Sequence, residues 1–393
     1  MRTLPPRGFP DLEFEQRTEK TQRMMHGERF DAILVMTEPD VRYYTGFLSQ
    51  FWESPTRPWF VVVPRVGKPI AVVPEIGAVG MGGTWLDEVR TWSSPDPVDD
   101  GVSLLASTIA ALPARCGRIG VPMGPGSQLR MPLIDFLALR DKLGARAVMD
   151  ATDMLRRIRA IKSEDEVAKI RAACEIASRA FEELPGKIGL GESEREICRK
   201  FKIDLIAAGA DSAPYVMGGS GSGGYNDIIM GPTDRTLSSG DIMIIDSGAT
   251  FDGYFCDFDR NYAFGTVSDD ARRAYDTVYE ATDAGFRAAR PGARTSDLWR
   301  ELWRVLEAGG ALGNNVGRMG HGLGMQLTEW PSNMPGDDTV LEPGMVLTLE
   351  PGMVFAPNQW MVHEENIVIR SDGAEWLSRR AWPEMPLITT RMQ

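Results

Sequence analysis

The chain has 393 residues, a net charge of −12 and the balance of a globular protein, with 43% hydrophobic and 25% charged residues. This length exceeds that of one ordinary core and indicates two domains, a small one and a large one. Because the acidic balance repels phosphate backbones and anionic lipid, neither nucleic acid nor a membrane is expected as a partner.

The N-terminal part of the chain alternates between helical and strand-like segments. A polar helix is predicted over 17–29, followed by an apolar strand at 32–36. This alternation predicts a small α/β domain, which we place at residues 1–155. Its further strands are predicted at 59–63, 70–73 and 118–121, and its further helices at 104–112 and 133–143.

Residues 156–393 are predicted to form an α+β domain with an antiparallel sheet. Two capping boxes, Ser163 with Glu166 and Ser193 with Glu196, begin helices that extend to about residues 184 and 209. Later helices are predicted at 269–289 and 296–306, and strands at 242–247, 255–264, 345–349 and 367–370.

Two aspartates lie on a predicted β-hairpin. If residues 251 and 252 form its turn, Asp246 lies opposite Asp257. If Asp252 and Gly253 form the turn, Asp246 lies opposite Asp259, and Asp257 is its diagonal neighbour on the same face. Either register gathers carboxylates on an apolar strand, an arrangement that makes sense with a cation between them. A pair of solvated strand residues is the alternative.

A histidine and two glutamates extend this acidic pattern. His321 lies between glycines in the run 320–324, and glycine permits the close backbone approach that a tight site requires. Glu350 and Glu364 follow in apolar, strand-like stretches. One imidazole with four carboxylates suits two bridged divalent cations, and manganese, iron, cobalt and zinc all accept such ligands.

The order of these residues resembles the metal-ligand series of the pita-bread metalloenzymes, the group that contains methionine aminopeptidase, aminopeptidase P, prolidase and creatinase. The resemblance implies that Asp246 and Asp257 bind one metal ion. It also implies that Asp257, His321, Glu350 and Glu364 bind the other, with Asp257 and Glu364 bridging. Glu350 would also act in catalysis by shuttling the proton.

The resemblance continues upstream of the ligands. The segments 43–47 and 159–163 are similar to the amino-domain and linker signatures of the aminopeptidase P, prolidase and creatinase branch. Essentially the whole chain is covered. The expected architecture is therefore a smaller α/β creatinase-like N-terminal domain followed by a pita-bread catalytic domain, and a homodimer is expected.

Three positions depart from the peptidases of this family. Thr328 stands where they carry a second histidine, seven residues after the metal histidine, and Ile229 stands where they carry one before the first ligand. Val362 replaces an arginine of prolidase-like members. Thr328 is therefore a catalytic candidate in place of that histidine. The ligands remain, so water activation is expected to survive while peptide recognition changes.

We therefore predict a metal-dependent hydrolase of a C–N (amide or peptide) bond, similar to Xaa-Pro aminopeptidase and prolidase. Its substrate would be a dipeptide or another small molecule, such as a modified amino acid or osmolyte. One alternative is a metal-dependent lyase of the type that cleaves dimethylsulfoniopropionate. The other is a non-catalytic binding protein with the pita-bread fold.

Further candidates for substrate handling are aromatic. Tyr225 follows the glycine-rich segment 218–224, which is interpreted as a mobile active-site loop or a plain linker, and Tyr225 could replace a missing histidine. Trp52 and Trp59 could form an aromatic lid over a cationic substrate, or they could pack in a core or dimer interface. Trp330, close to Thr328, is a third aromatic candidate for substrate binding.

The cysteines and the N-terminus bear on the compartment. The N-terminal residues lack the apolar run of a signal peptide, and no stretch of about 18 apolar residues occurs. A cytoplasmic protein is therefore expected. The cysteines are scattered and are expected to be free thiols; they are Cys116, Cys174, Cys198 and Cys256.

Overall fold

The computed structural model describes residues 4–54, 57–314 and 317–390. Two compact units divide this chain: one is Pro6–Arg159, and the other begins at Ala160 and takes in Leu4 and Pro5. Each unit has its own sheets and apolar core. No helix in the described ranges is long and apolar enough to cross a membrane.

The first unit is built on a six-stranded mixed sheet with helices. The strands are β1 (Ala32–Val35), β2 (Phe60–Pro64), β3 (Ile70–Pro74), β4 (Glu88–Trp92), β5 (Arg118–Val121) and β6 (Ala147–Asp150). The helices are α1 (Asp11–Glu28), α2 (Glu38–Thr45), α3 (Ala78–Gly82), α4 (Val102–Ala110), α5 (Leu133–Lys142) and α6 (Thr152–Ala160).

The strand order of this sheet is β4-β3-β2-β1-β5-β6. The β1, β2 and β3 strands pair antiparallel, and the outer strands are added in parallel. Strands β1 to β3 are buried along their whole length, as continuous apolar runs require when both faces of a sheet are covered. The predicted α/β character of this part of the chain is confirmed.

The sequence analysis did not anticipate several elements of this unit. Helices α2, α3 and α6 were missed, as were strands β4 and β6. Both missed strands lie at the edges of the sheet and are largely half-buried or exposed, so they lack the apolar runs by which the inner strands were predicted. The first helix also begins earlier than predicted, directly after Pro10.

Four long helices belong to the second unit. The two predicted capping boxes are confirmed: Ser163 with Glu166, and Ser193 with Glu196, exchange side-chain and backbone hydrogen bonds at the starts of two of them. The helices are α7 (Glu164–Glu183), α8 (Glu194–Ala207), α9 (Asp269–Ala288) and α10 (Thr295–Ala308).

The second unit also contains three sheets, with almost entirely antiparallel pairing. The strands are β7 (Ser212–Ser222), β8 (Asp241–Phe251), β9 (Tyr254–Phe255), β10 (Phe258–Phe264), β11 (His321–Gly322), β12 (Glu329–Ser332), β13 (Val346–Leu349), β14 (Gly352–Ala356), β15 (Gln359–Val362), β16 (Glu365–Arg370), β17 (Gly373–Trp376) and β18 (Leu387–Ile388). One sheet has the order β18-β10-β8-β7, with β9 beside β8. Another has the order β12-β11-β13-β16-β17, and β14 pairs with β15.

The hairpin formed by β8, β9 and β10 adopts the second of the two predicted registers. Asp246 pairs with Asp259, and residues 252 and 253 form the turn. Asp252 and Gly253 have φ angles of 48° and 74°, the left-handed conformation that a tight hairpin turn favours. Asp257 lies in the short link between β9 and β10.

The glycine-rich segment was interpreted as a mobile loop or a linker, and this was wrong for residues 218–222, which lie in a strand; Gly223 and Gly224 form the bend after it. Gly218, Gly219 and Gly221 belong to β7 and pair with successive residues of β8. A Cβ atom on Gly218 would overlap with the Cys198 sulfur, and one on Gly221 would overlap with the backbone of Gly224. These glycines therefore provide packing space within a sheet rather than mobility.

Candidate metal centre

Three buried potential ligands meet in the second unit: Asp257, His321 and Glu364. Each offers one ligand atom, and these atoms all lie within 4.8 Å of one another. His321 Nε2 and Asp257 Oδ2 are 3.4 Å apart. The link between β9 and β10, strand β11, and the link between β15 and β16 supply them, so the centre draws on two different sheets.

Asp246 on β8 and Glu350, directly after β13, adjoin this trio. Burial, followed by the charge of Asp246, raises the pKa of Glu350 to about 8. Burial, followed by the charges of Asp246 and Glu350, raises the pKa of Asp257 well above its ordinary range. Because such charge effects require proximity, Asp246 and Glu350 lie near the trio.

The cluster fits divalent cations. Asp246 Oδ1 and Glu364 Oε1 are buried and have no hydrogen-bond partner among the described residues. Burial also raises the pKa of Asp246 to about 6, and burial with neighbouring carboxylates raises that of Glu364 well above its ordinary range. Unpaired buried carboxylate oxygens are costly, and bound cations relieve that cost.

His321 is a neutral imidazole directed at this cluster. Burial, followed by the charge of Arg318, lowers its pKa to about 4. Its Nδ1 lies 2.9 Å from the carbonyl oxygen of Gly322, so Nδ1 donates to that oxygen and Nε2 is left as a lone-pair ligand. This hydrogen bond therefore fixes both the tautomer and the direction of the ring.

The backbone around His321 is held tightly against β13. The His321 N–H donates to Thr348 Oγ1 over 3.1 Å, and the Glu350 N–H donates to the Met319 carbonyl over 3.2 Å. Gly320 has φ 115°, and a Cβ atom there would overlap with the Thr348 carbonyl. The expectation that this glycine allows a close backbone approach is confirmed.

Asn366 is a residue of the centre that the sequence analysis did not identify as functional. It is fully buried on β16, and its Oδ1 accepts a hydrogen bond from the Asp257 N–H over 2.9 Å. Its side-chain NH₂ donates to the Asp257 carbonyl. The amide thus replaces a strand partner for the link that carries Asp257. A polar residue within an apolar strand was the available signal.

Tyr215 on β7 was also missed. Its hydroxyl lies beside the Asp246 carboxylate, and each group affects the pKa of the other. Burial, followed by the charges of Asp246, Asp257 and Glu364, raises its pKa, so the phenol keeps its proton. No local pattern marked this residue, since its position depends on the pairing of β7 with β8.

Tyr225, which was expected to act in catalysis, lies in the core instead. Its hydroxyl donates to Asn261 Oδ1 over 2.9 Å and accepts from the Val362 N–H over 2.7 Å. The side chain is 1% exposed. With both hydrogen-bonding functions used by its neighbours, this hydroxyl is not available to replace a catalytic histidine.

The two N-terminal tryptophans differ in exposure. Trp59 is 3% exposed and stacks on Phe47 with a centroid distance of 5.0 Å, which places it in the core of its unit. Trp52 is half-buried, and its ring centroid lies 5.9 Å from that of Trp59. The Arg130 guanidinium lies 4.8 Å from the Trp52 ring centroid. Within this unit Trp52 therefore already has a cation against its ring.

Thr328 and Trp330 flank the start of β12. Thr328 is exposed, and its hydroxyl accepts a hydrogen bond from Arg318 Nη2 over 3.2 Å. Trp330 is half-buried and packs against a core cluster that includes Leu341, Met345 and Leu347. Arg318 was not identified from the sequence.

The fold and this cluster define a metal-dependent hydrolase. Residues 168–371 match the model for metallopeptidase family M24, and residues 17–161 match the creatinase/prolidase N-terminal domain. The chain belongs to metallopeptidase family M24. The expected pita-bread domain and the creatinase-like domain before it are thereby confirmed.

Similar proteins agree with this assignment. The chain is 32% identical over 348 residues to a probable dipeptidase PepE from Mycobacterium tuberculosis, covering 87% of this chain and 88% of that protein. It is 28% identical over 243 residues to an Xaa-Pro dipeptidase from Pyrococcus furiosus, covering 61% of this chain and 69% of that protein.

A solved structure extends the similarity to the whole chain. The crystal structure of dipeptidase PepE from Mycobacterium ulcerans has a TM-score of 0.84 at 27% identity, covering 98% of this chain and all of that one. None of these three relatives is a lyase or a binding protein, so the two alternative functions receive no support.

Proposed function

We propose that the protein hydrolyses dipeptides, Xaa-Pro dipeptides among them, at a centre for two divalent ions. Asp246 and Asp257 would hold one ion, and Asp257, His321, Glu350 and Glu364 the other, with Asp257 and Glu364 shared between them. The observation that carries the proposal is the convergence of Asp257, His321 and Glu364, with their ligand atoms within 4.8 Å of one another. The dipeptidase names of the relatives support the substrate class.

The protein's own residues would handle protons and orientation. Divalent ions bound here would activate a water molecule and polarise the scissile carbonyl. Glu350, a buried carboxyl beside the trio, would take a proton from that water and pass it to the leaving amine. Tyr215, whose hydroxyl lies beside Asp246, would help to orient that carboxylate.

We further propose that manganese is the working metal, that the protein is a homodimer and that it acts in the cytoplasm. A set of oxygen ligands with one imidazole nitrogen supports manganese, although iron, cobalt and zinc also accept it. All four cysteines are free thiols, which supports a reducing compartment.

The test is hydrolysis by the purified, manganese-loaded protein. Alanyl-proline, glycyl-proline, alanyl-alanine and alanyl-leucine would be incubated with it, and release of free amino acids would be measured. We expect turnover that is removed by chelation and restored by manganese. The absence of turnover across the panel, with two bound ions verified by elemental analysis, would contradict the proposal.

Two variants separate the metal centre from general effects. Glu364→Gln removes one proposed ligand and should reduce kcat/KM by at least about 1,000-fold, together with loss of bound metal. Glu301→Gln is the matched control, because Glu301 lies exposed on α10 and pairs only with the neighbouring Arg304 over 3.0 Å. That control should retain wild-type activity.

A further inference from the structure

One positively charged side chain beside the metal centre makes few interactions with the rest of the described protein. Arg318 is half-buried, three residues before His321. Within the described ranges it forms no ion pair, and its single hydrogen bond is the one to Thr328 Oγ1 over 3.2 Å. Because a guanidinium carries five N–H donors in a planar fork, most of its donors are left for something other than the protein.

The position of Arg318 is fixed by its neighbour in the chain. The Met319 carbonyl accepts the Glu350 N–H over 3.2 Å, and the Met319 N–H donates to the Asn333 carbonyl over 2.8 Å. The backbone beside Arg318 is therefore tied to the strand that leads to Glu350. Burial has the largest effect on the pKa values of Asp257, Glu350 and His321. The positive charge of Arg318 is a further effect, and it lowers the pKa of each of the three.

The chain next to Thr328 is also held in place by hydrogen bonds. The next residue, Glu329, accepts hydrogen bonds from the Met325 and Gln326 amides over 3.0 and 3.2 Å. Its other oxygen pairs with Lys162 over 3.1 Å, and both side chains of this pair are buried. The exposed Thr328 hydroxyl thus has a defined position from which it accepts one Arg318 donor.

Once bound cations neutralise the carboxylates of the centre, the charge of Arg318 is left without an anionic partner there. The proposed substrates bring such an anion, because every dipeptide ends in a free carboxylate. Val362 stands where prolidase-like members carry an arginine. Because Val362 is apolar and 2% exposed, it provides no cation for the substrate carboxylate. An arginine fork binds a carboxylate with two parallel hydrogen bonds, which makes Arg318 the matching group.

We propose that Arg318, oriented by Thr328, binds the free α-carboxylate of the substrate and so restricts the enzyme to dipeptides. The inference rests on the proposed peptide hydrolysis, but it concerns selectivity rather than cleavage. A longer peptide or a dipeptide amide presents no carboxylate at this distance from the scissile bond. Thr328 acts as a positioning residue for the guanidinium.

The test compares alanyl-proline with alanyl-prolinamide on the manganese-loaded protein. The wild type should prefer the free acid by about 30-fold or more in kcat/KM, mainly through KM, as expected for a charge-assisted hydrogen bond. Arg318→Gln should lose this preference, so that its kcat/KM values for the acid and the amide are similar. Arg318→Lys, which keeps the charge but not the fork, should restore part of the preference.

Thr328→Val keeps the size of the side chain and removes the hydroxyl. It should reduce the preference for the acid by about 3- to 10-fold, which also tests the positioning role without altering the arginine. Arg300→Gln, at an exposed position on α10, removes an arginine charge elsewhere and should retain the full preference. Equal cleavage of acid and amide by the wild type, or an equal loss of both in Arg318→Gln, would overturn the inference while peptide hydrolysis stands.

Binding separates this inference from the proposed function. Isosteres of the two substrates, in which the carbonyl of the peptide bond is replaced by CH₂ on the proline ring nitrogen, cannot be hydrolysed, and calorimetry on the manganese-loaded protein measures their affinities directly. We expect the acid isostere to bind about 30-fold more tightly than the amide in the wild type and equally in Arg318→Gln. If neither substrate is cleaved, the proposed function fails, and equal isostere affinities in the wild type would refute the role of Arg318 as well.

Discussion

Metal binding should release protons from the carboxylate cluster. In the metal-free protein, burial and mutual repulsion raise the pKa values of Asp246, Asp257, Glu350 and Glu364. A carboxylate must lose its proton to coordinate a metal ion, so each proton that the cluster holds is expelled on binding. His321 contributes none, because burial lowers its pKa to about 4 and it is already neutral at pH 7.

The number of protons follows from these pKa values. At pH 7, Glu350, with a pKa of about 8, holds roughly nine-tenths of a proton, and Asp246, with a pKa of about 6, holds roughly one-tenth. Asp257 and Glu364, with pKa values raised by burial and by neighbouring carboxylates, favour their protonated forms and add to this number. At least about one proton per chain should therefore leave when the centre fills.

Calorimetry measures this number. Manganese is titrated into the chelator-treated protein at pH 7 in buffers with different ionisation enthalpies, and the slope of the observed heat against that enthalpy gives the protons released. A slope of at least about one is expected at pH 7, with a smaller value at pH 9, where Glu350 is already ionised. A slope near zero at pH 7 would refute the reasoning.

The same pKa values set the sign of the pH dependence of stability. A carboxyl whose pKa is raised by folding stabilises the folded state fully below its unfolded pKa, near 4, and this contribution disappears as the pH rises through the folded value. For Asp246 and Glu350 the folded values are about 6 and about 8. The metal-free protein should therefore lose stability between pH 5 and 9 on this account, and bound metal should remove most of that slope.

Three substitutions test other parts of the centre and its support. Glu364→Gln removes a buried carboxylate, so at pH 8 the metal-free variant should melt about 2–4 °C above the wild type in calorimetric scans, and manganese should no longer raise its melting temperature. Asn366→Ala deletes both hydrogen bonds to the Asp257 backbone and should lower the unfolding free energy by about 2–3 kcal/mol and metal affinity by about 10-fold, measured by denaturant and metal titrations. Lys169→Met removes a buried ion-pair partner of Asp252 and should cost about 3–5 kcal/mol in a urea titration, since the two side chains are 2% and 4% exposed and 2.6 Å apart. A loss below 1 kcal/mol in either of the last two variants would contradict the contacts described.

Local signals in the sequence predicted local structure well. The capping boxes at Ser163 and Ser193 mark the starts of α7 and α8, because the four-residue pattern itself supplies the hydrogen bonds that begin a helix. The turn at Asp252 and Gly253 was one of two predicted registers, and only the paired strands decided between them. The glycine run in β7 was misinterpreted as a loop. In a sequence, a glycine that provides packing space cannot be distinguished from a glycine that forms a loop.

Residues that act across the fold were beyond prediction from their local sequence. Tyr215 reaches Asp246, and Asn366 holds the backbone of Asp257, only because separate strands bring them together. Arg318 is close in sequence to the predicted His321, yet its role depends on Thr328, ten residues away across an irregular turn. The five proposed ligands were named because their order resembles a known pattern, which carries long-range information that periodicity lacks.

The close contact between Gly320 and Thr348 affects which substitutions this protein can accept during evolution. Residues on the Gly320 side share their backbone hydrogen bonds with the strand that leads to Glu350, so alterations there move two proposed ligands together. Arg318 and Thr328 take no part in that contact and meet each other through one hydrogen bond. Substrate preference can therefore change by replacement of two side chains while the metal ligands stay the same. A library that randomises only those two positions should yield new selectivities without loss of metal.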